Sequence, residues 1–150
     1  MLLATGFGLG RLPKAPGTWG TLAAFPIQFA LLGLAPLPYA LWLGGIIVLA
    51  ILIAGAAEKI LDRPDPGMVV IDEVAGMLIA LIAVPATPLA WLLAFILFRF
   101  FDILKPFPIR LIDRRCHGGL GIVLDDLLAG VYALVCIHLL LYLFPAIAGG

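Results

Sequence analysis

The chain has 150 residues, 64% of them hydrophobic and 12% charged, with nine basic and nine acidic side chains and a net charge of zero. A mean hydropathy of +1.21 is far from a soluble domain, in which about a quarter of residues are charged; it predicts an all-α, membrane-embedded helical bundle. Zero net charge without a basic tract excludes nucleic acid as a partner.

All eighteen charges fall in three clusters: Arg11 with Lys14, Glu58 through Glu73, and Arg99 through Asp126. Two apolar runs separate the first pair of clusters, Gly20 to Leu34 and Tyr39 to Ala57, joined by the uncharged Ala35-Pro36-Leu37-Pro38. Val74 to Val84 and Leu89 to Phe98, joined by Pro85-Ala86-Thr87-Pro88, separate the second pair. Each pair reads as a hairpin that returns the chain to its starting side. The run Leu127 to Ala148 then leaves that side with no Lys or Arg beyond it. Four to five apolar helices are therefore expected, two hairpins and a C-terminal helix, with every charge on one face. Because Lys and Arg near short loops favour the cytoplasm, that face is expected to be cytoplasmic. A span needs about 20 apolar residues; the last run reaches this, the second nearly does, and the others are short. No repeat or linker interrupts the chain, so residues 1–150 are expected to form a single domain. Met1-Leu-Leu-Ala lacks the basic start of a signal peptide. Cys116 and Cys136 have neither metal-knuckle spacing nor a context favouring a disulfide.

The polar segments carry the chemistry. Thr5 to Thr21 places Gly6, Gly8, Gly10, Arg11, Lys14, Gly17 and Thr18 ahead of an apolar helix. Glycines allow close backbone approach and a helix start offers unpaired N–H groups, so the segment suits a phosphate; a flexible interfacial loop anchored by Trp19 is the alternative. Asp72-Glu73 adjoins an apolar run in which an exposed carboxylate is unfavourable by a few kcal/mol. The pair either flanks a cation between helices, with Gly76 allowing close approach, or marks a surface helix start. Arg99, Asp102 and Lys105 lie at i, i+3 and i+6 on one helical stripe, which Pro106 ends. This is either a self-neutralising ladder or a metal-binding Asp102 between two phosphate ligands. Arg110 to Arg115 reads as a snorkelling interfacial helix. Cys116 to Gly121 reads as a tight polar loop, after which Asp125-Asp126 opens the last helix, either as a cap or, together with Asp72-Glu73, as oxygen ligands for a hard cation. His138 is expected to be a satisfied core histidine.

Two acid doublets suited to Mg²⁺, a glycine-rich loop and Arg/Lys groups at a bilayer surface fit a lipid phosphate ester. Ile122 stands where a cysteine-phosphatase loop needs Arg, and no Asp-x-Asp is present for an aspartyl-phosphate route. A transporter would carry charge along a path to the far side, where there is none. A CDP-alcohol transferase would need a spaced Asp-Gly and Asp-x-x-x-Asp pattern that is absent.

Four stretches resemble the phosphatidylglycerophosphatase A family: Gly6-Phe-Gly-Leu-Gly with Ala15-Pro-Gly-Thr-Trp-Gly; Ile71-Asp-Glu-Val-Ala-Gly-Met; Phe98-Arg-Phe-Phe-Asp-Ile-Leu-Lys-Pro-Phe-Pro-Ile-Arg; and His117-Gly-Gly-Leu-Gly-Ile-Val-Leu-Asp-Asp-Leu-Leu-Ala-Gly. The resemblance implies a bacterial inner-membrane, Mg²⁺-dependent enzyme that removes the terminal phosphate of phosphatidylglycerophosphate in phospholipid biosynthesis. Some relatives carry an additional polar N-terminal segment, and Arg63 to Gly67 sits where relatives vary, so Arg63 and Asp65 are expected only to order a loop. The expected roles are Asp72, Glu73, Asp125 and Asp126 as Mg²⁺ ligands and Asp102 as a further ligand or base. Asp72 and Asp126 are expected to be indispensable for turnover. Arg99 and Lys105 would clamp the phosphate, with Gly6, Gly8, Gly10, Lys14, Gly17 and Thr18 closing over the headgroup.

Overall fold

The structure, a computed structural model, describes residues 1–63, 66–116 and 118–149. Among them the chain forms six α-helices and two short 3-10 segments, Gly6–Arg11 and Pro145–Ala148, with no strand. The helices are α1 (Pro16–Leu31), α2 (Pro36–Leu61), α3 (Ile71–Ala80), α4 (Pro88–Leu104), α5 (Ile109–Arg115) and α6 (Gly118–Leu143).

Proline sets several boundaries. Pro16, Pro36 and Pro88 each stand in the first turn of a helix, where the missing N–H would have no partner anyway. The first interhelical turn therefore occupies residues 32–35, and Pro36 to Pro38, read from the sequence as the turn itself, instead start α2. Thr87 caps α4, its Oγ1 accepting from the Ala90 N–H at 3.3 Å. At the other end of α4 the helix stops at Leu104 as Pro106 requires, with Lys105 left-handed at φ 45°.

Two sequence expectations about the last helix are corrected. The stretch Gly118 to Gly121 is helical, not a loop, and Asp125 and Asp126 lie in the third turn of α6 instead of opening it. Tertiary packing overrides the weak helix propensity of glycine here. A Cβ at Gly119 would overlap the Ile51 carbonyl and the backbone of Gly55, so the missing side chain lets α6 lie directly on α2. The residue before this start, His117, is outside the described residues, as is Asp65.

α6 packs along α3, α4, α2 and α5. Its crossing with α3 is also a backbone-to-backbone contact: a Cβ at Gly76 would lie 2.5 Å from the Asp126 carbonyl oxygen, and one at Gly130 would overlap the carbonyl of Gly76. Gly76 thus serves the close helix approach expected of it. Phe98 of α4 fills the notch beside Gly76 and is fully buried with Met77, Leu78, Leu81, Ala133 and Ile137. A second cluster, with Ala50, Ala54, Ala57, Ala75 and Val123, joins α2 to α3 and α6.

The ends of the bundle differ in chemistry. At one end Gln28 donates to the Leu81 carbonyl and accepts from the Tyr39 hydroxyl, while the Thr87 hydroxyl reaches the Ile147 carbonyl. Every described charged residue belongs to the opposite end, where α1, α3 and α6 begin and α2 and α4 finish. The helix flanks are apolar and outward-facing, as at Trp42, Leu52, Val135 and Tyr142. Two helices, α2 and α6, are long and apolar enough to cross a membrane. His138 lies along α6 with Nδ1 3.0 Å from the Leu134 carbonyl, so local backbone supplies its polar contact.

Candidate active site

The N-terminal segment is held by the residues that precede α3. The Val70 N–H donates to the Ala4 carbonyl at 2.8 Å, and buried Thr5 ties the first turn through its hydroxyl to the Met1 carbonyl and the Gly8 N–H. Gly10 lies against the Met68 carbonyl and Gly6, at φ 53°, against the Val70 side chain. These two glycines dock the segment. The space around Gly8 is open. This anchoring fixes the start of α1 beside the start of α3.

The first turn of α3 presents Asp72 and Glu73 there. Because Gly76 and Gly130 let the helices touch, α6 brings Asp126 to the same place. One carboxylate oxygen from each of Asp72, Glu73 and Asp126 lies within 4.8 Å of the other two. Asp72 and Asp126 are 6% and 4% exposed, so water barely screens their mutual repulsion. Glu73 Oε2 is buried without a hydrogen-bond partner among the described residues. Two buried carboxylates, a partly buried third and an orphaned oxygen fit a hard cation, which takes oxygen ligands.

α4 supplies the neighbouring charges. Arg99 and Asp102, one turn apart, form an ion pair at 2.5 Å. Asp102 is near enough to Glu73 and Asp126 to repel both. A Cβ at Gly17 would stand 3.0 Å from an Arg99 Nη1 and would overlap a Glu73 carboxylate oxygen, so the first turn of α1 presses its backbone against both side chains. Gly17 is the residue of the glycine-rich segment seen to reach the acids. Thr18 follows it in the same turn, and the carbonyl of Lys14 accepts from Trp19 Nε1 at 3.2 Å.

Lys105 turns elsewhere. Its Nζ lies 2.6 Å from Asp113 Oδ1 on α5 and 2.6 Å from Asp125 Oδ2 on α6. Successive helical residues diverge by about 100°, so Asp126 joins the carboxylate cluster while Asp125 faces the lysine. Burial pulls the Lys105 ammonium down, but the bonds to Asp113 and Asp125 outweigh it and hold the pKa above its ordinary value. Asp113 is the participant that sequence spacing missed: it meets Lys105 only because the chain reverses at Pro106 to Pro108.

The family model described as phosphatidylglycerophosphatase A matches residues 2–141, a span that contains every residue of this constellation. The chain belongs to the phosphatidylglycerophosphatase A family. It is similar to the phosphatidylglycerophosphatase A of Haemophilus influenzae, with 41% identity over 143 residues that cover 94% of this chain and 88% of that protein. With the phosphatidylglycerophosphatase A of Escherichia coli it shares 42% identity over 131 residues, covering 87% and 76%. A Bacteroides thetaiotaomicron protein, provisionally named as a phosphatidylinositol-3-phosphatase, is 43% identical over 145 residues, covering 91% and 90%. No solved structure matches the chain. The family resemblance drawn from the four sequence stretches is thereby borne out.

Proposed function

We propose that this phosphatidylglycerophosphatase A family member is a single-domain, Mg²⁺-dependent lipid phosphatase that hydrolyses phosphatidylglycerophosphate to phosphatidylglycerol and inorganic phosphate. It acts in the bacterial inner membrane, as a bundle of two hairpins and a final helix, with its polar site facing the cytoplasm. The observation that carries this reading is the Asp72, Glu73 and Asp126 cluster, held beside Arg99 at the charged end of an apolar bundle in a chain of this family.

Asp72, Glu73 and Asp126 would hold the cation, which when bound supplies Lewis acidity and a water of lowered pKa. Arg99 has five donors, of which the Nη1 group engages Asp102, so its other N–H groups would take phosphoryl oxygens. The backbone at Gly17, in the first turn of α1, adds the positive end of a helix dipole. Asp102, oriented by Arg99 and close to the cluster, would take a proton from the attacking water and return it to the glycerol oxygen as the phosphorus–oxygen ester bond breaks. Lys105 and Asp125 hold α4, α5 and α6 together around these groups.

Phosphate release from phosphatidylglycerophosphate in detergent micelles, with Mg²⁺, with chelator and with Asp126→Ala, tests the assignment. The expected result is release that chelator and substitution both abolish; chelator-resistant release would remove the cation. The provisional name of the Bacteroides relative makes phosphatidylinositol 3-phosphate the comparison substrate, and faster release from it would replace the glycerophosphate headgroup in this reading. Orientation is tested separately by an engineered cysteine in the Pro85 to Pro88 turn, which should label only from outside.

A further inference from the structure

Net neutrality conceals an uneven distribution of charge. Of the nine cations, only Arg99 and Lys105 enter ion pairs among the described residues. The acids concentrate in the interior of the charged end, where Asp72, Asp125 and Asp126 are buried. Its outer rim is left basic.

α5 carries three of the rim's cations. Ile109 is fully buried, Asp113 is fastened by Lys105, and the carbonyl of Phe107 accepts from the Tyr132 hydroxyl at 3.0 Å. A seven-residue helix held at Ile109 and Asp113, behind an anchored Phe107, leaves Arg110, Arg114 and Arg115 exposed and without an ion pair among the described residues. Beside them, Phe107 is 80% exposed and Ile103 72%. Exposed apolar side chains next to fixed arginines match the boundary between acyl chains and headgroups, where each basic side chain attracts anionic lipid by about 1 kcal/mol. The chain from α5 to the site is short, because Lys105 joins Asp113 to Asp125 and Asp126 follows.

We infer that Arg110, Arg114 and Arg115 form a docking surface for anionic phospholipid headgroups at the mouth of the site, gathering the anionic substrate from the plane of the bilayer. This surface acts before chemistry, and its substrate rests on the lipid-phosphatase reading above. The full-length protein in phosphatidylcholine vesicles tests it, with Arg110, Arg114 and Arg115 all replaced by Gln. At about 50 mM salt the triple variant is expected to need on the order of tenfold or more surface substrate for half-saturation, about fivefold per arginine as an upper bound. Its kcat at saturation should match that of the unaltered enzyme, and the difference should shrink at about 500 mM salt, where screening is strong. Equal half-saturation at low salt would overturn the proposal. A fall in kcat alone would overturn it too, by making the arginines supports of the fold.

A second measurement does not depend on hydrolysis. Phe107→Trp, with Trp19, Trp42 and Trp91 replaced by Phe, places the single tryptophan beside the arginines, and quenching by brominated phosphatidylserine is compared with quenching by brominated phosphatidylcholine at about 20 mol%. Stronger quenching by the anionic lipid, lost on adding the three Gln substitutions, supports the surface even if phosphatidylglycerophosphate is not the substrate. Equal quenching by both lipids refutes the surface even if the phosphatase reading holds.

Discussion

The Gly76→Ala substitution tests whether the α3–α6 crossing sets the geometry of the carboxylate cluster. The new methyl would stand 2.5 Å from the Asp126 carbonyl oxygen and 2.7 Å from Phe98 Cε2. The first obstacle is backbone, which cannot rotate away as a side chain can. Restoring ordinary contact, near 3.4 Å, requires the helices to part by roughly 1 Å, and overpacking of this kind costs about 1–3 kcal/mol. Asp126 moves with its own carbonyl, whereas Asp72 and Glu73 move with α3. A cluster whose oxygens lie within 4.8 Å therefore opens by a comparable amount, and misplacement of about 1 Å can reduce turnover by about 10²-fold. The assay is phosphate release at saturating substrate and Mg²⁺, with thermal unfolding in the same detergent. Gly45→Ala on α2, where a Cβ meets nothing within 4 Å, is the control and should stabilise by about 0.5–1 kcal/mol through helix propensity alone. Turnover within twofold of wild type in folded Gly76→Ala protein would refute the claim that this crossing positions the site.

Gly17→Ala should behave differently, because its Cβ meets the flexible ends of Glu73 and Arg99 and not backbone: unfolding temperature is expected to hold or rise while kcat/KM falls by about tenfold or more, and an unchanged kcat/KM would remove the first turn of α1 from the site. Asp126→Asn should relieve repulsion within the cluster, and the thermal stabilisation that Mg²⁺ gives wild type, about 2.7 kcal/mol at a hundred times Kd, should disappear; an undiminished Mg²⁺ shift would place the cation elsewhere. Lys105→Met leaves Asp113 and Asp125 without their shared cation and should cost about 1–3 kcal/mol in denaturant melts, toward the lower figure because the lysine side chain is 26% exposed. The Lys105 pKa is raised above its ordinary value of 10.5, so its stabilisation is complete below that value and is lost only as pH climbs through the folded pKa. The wild-type minus Lys105→Met difference should therefore stay flat from about pH 6 to 9, and a decline across that window would contradict the pairing.

What was legible in the sequence followed from strong local rules. Charge clustering located the polar end and Lys105-Pro106 stopped α4, whereas Pro36 and Pro88, read as parts of turns, prove to be the first residues of α2 and α4. Adjacent acids in apolar surroundings pointed to Asp72, Glu73 and Asp126. Direction was harder to read. Asp125 and Asp126 look equivalent as a doublet, yet helical rotation sends one to Lys105 and the other to α3. Gly118 to Gly121 resembles a loop by propensity, and the reason for Gly119, contact with Ile51 and Gly55 of α2, lies more than sixty residues away in the chain. Gly6 and Gly10 fit a phosphate cradle equally well, and only Met68 and Val70, brought alongside by the fold, reveal that they pack.

Glycine at each close contact has a common physical consequence. Gly17, Gly76, Gly119 and Gly130 permit approaches that a methyl would block, and each sacrifices helix propensity of about 1 kcal/mol relative to Ala. An apolar bundle in lipid has no hydrophobic force between its helices, so van der Waals contact along such small-residue faces must hold it together. The same contacts force Asp72, Glu73 and Asp126 into one poorly hydrated place, where their repulsion works against packing. One divalent cation removes most of that repulsion without requiring the helices to separate. On the proposed reading, fold stability and cation affinity are linked through the glycines: widening the α3–α6 crossing should weaken Mg²⁺ binding as well as packing, so Gly76→Ala should show a smaller Mg²⁺-dependent shift in unfolding temperature than Gly45→Ala.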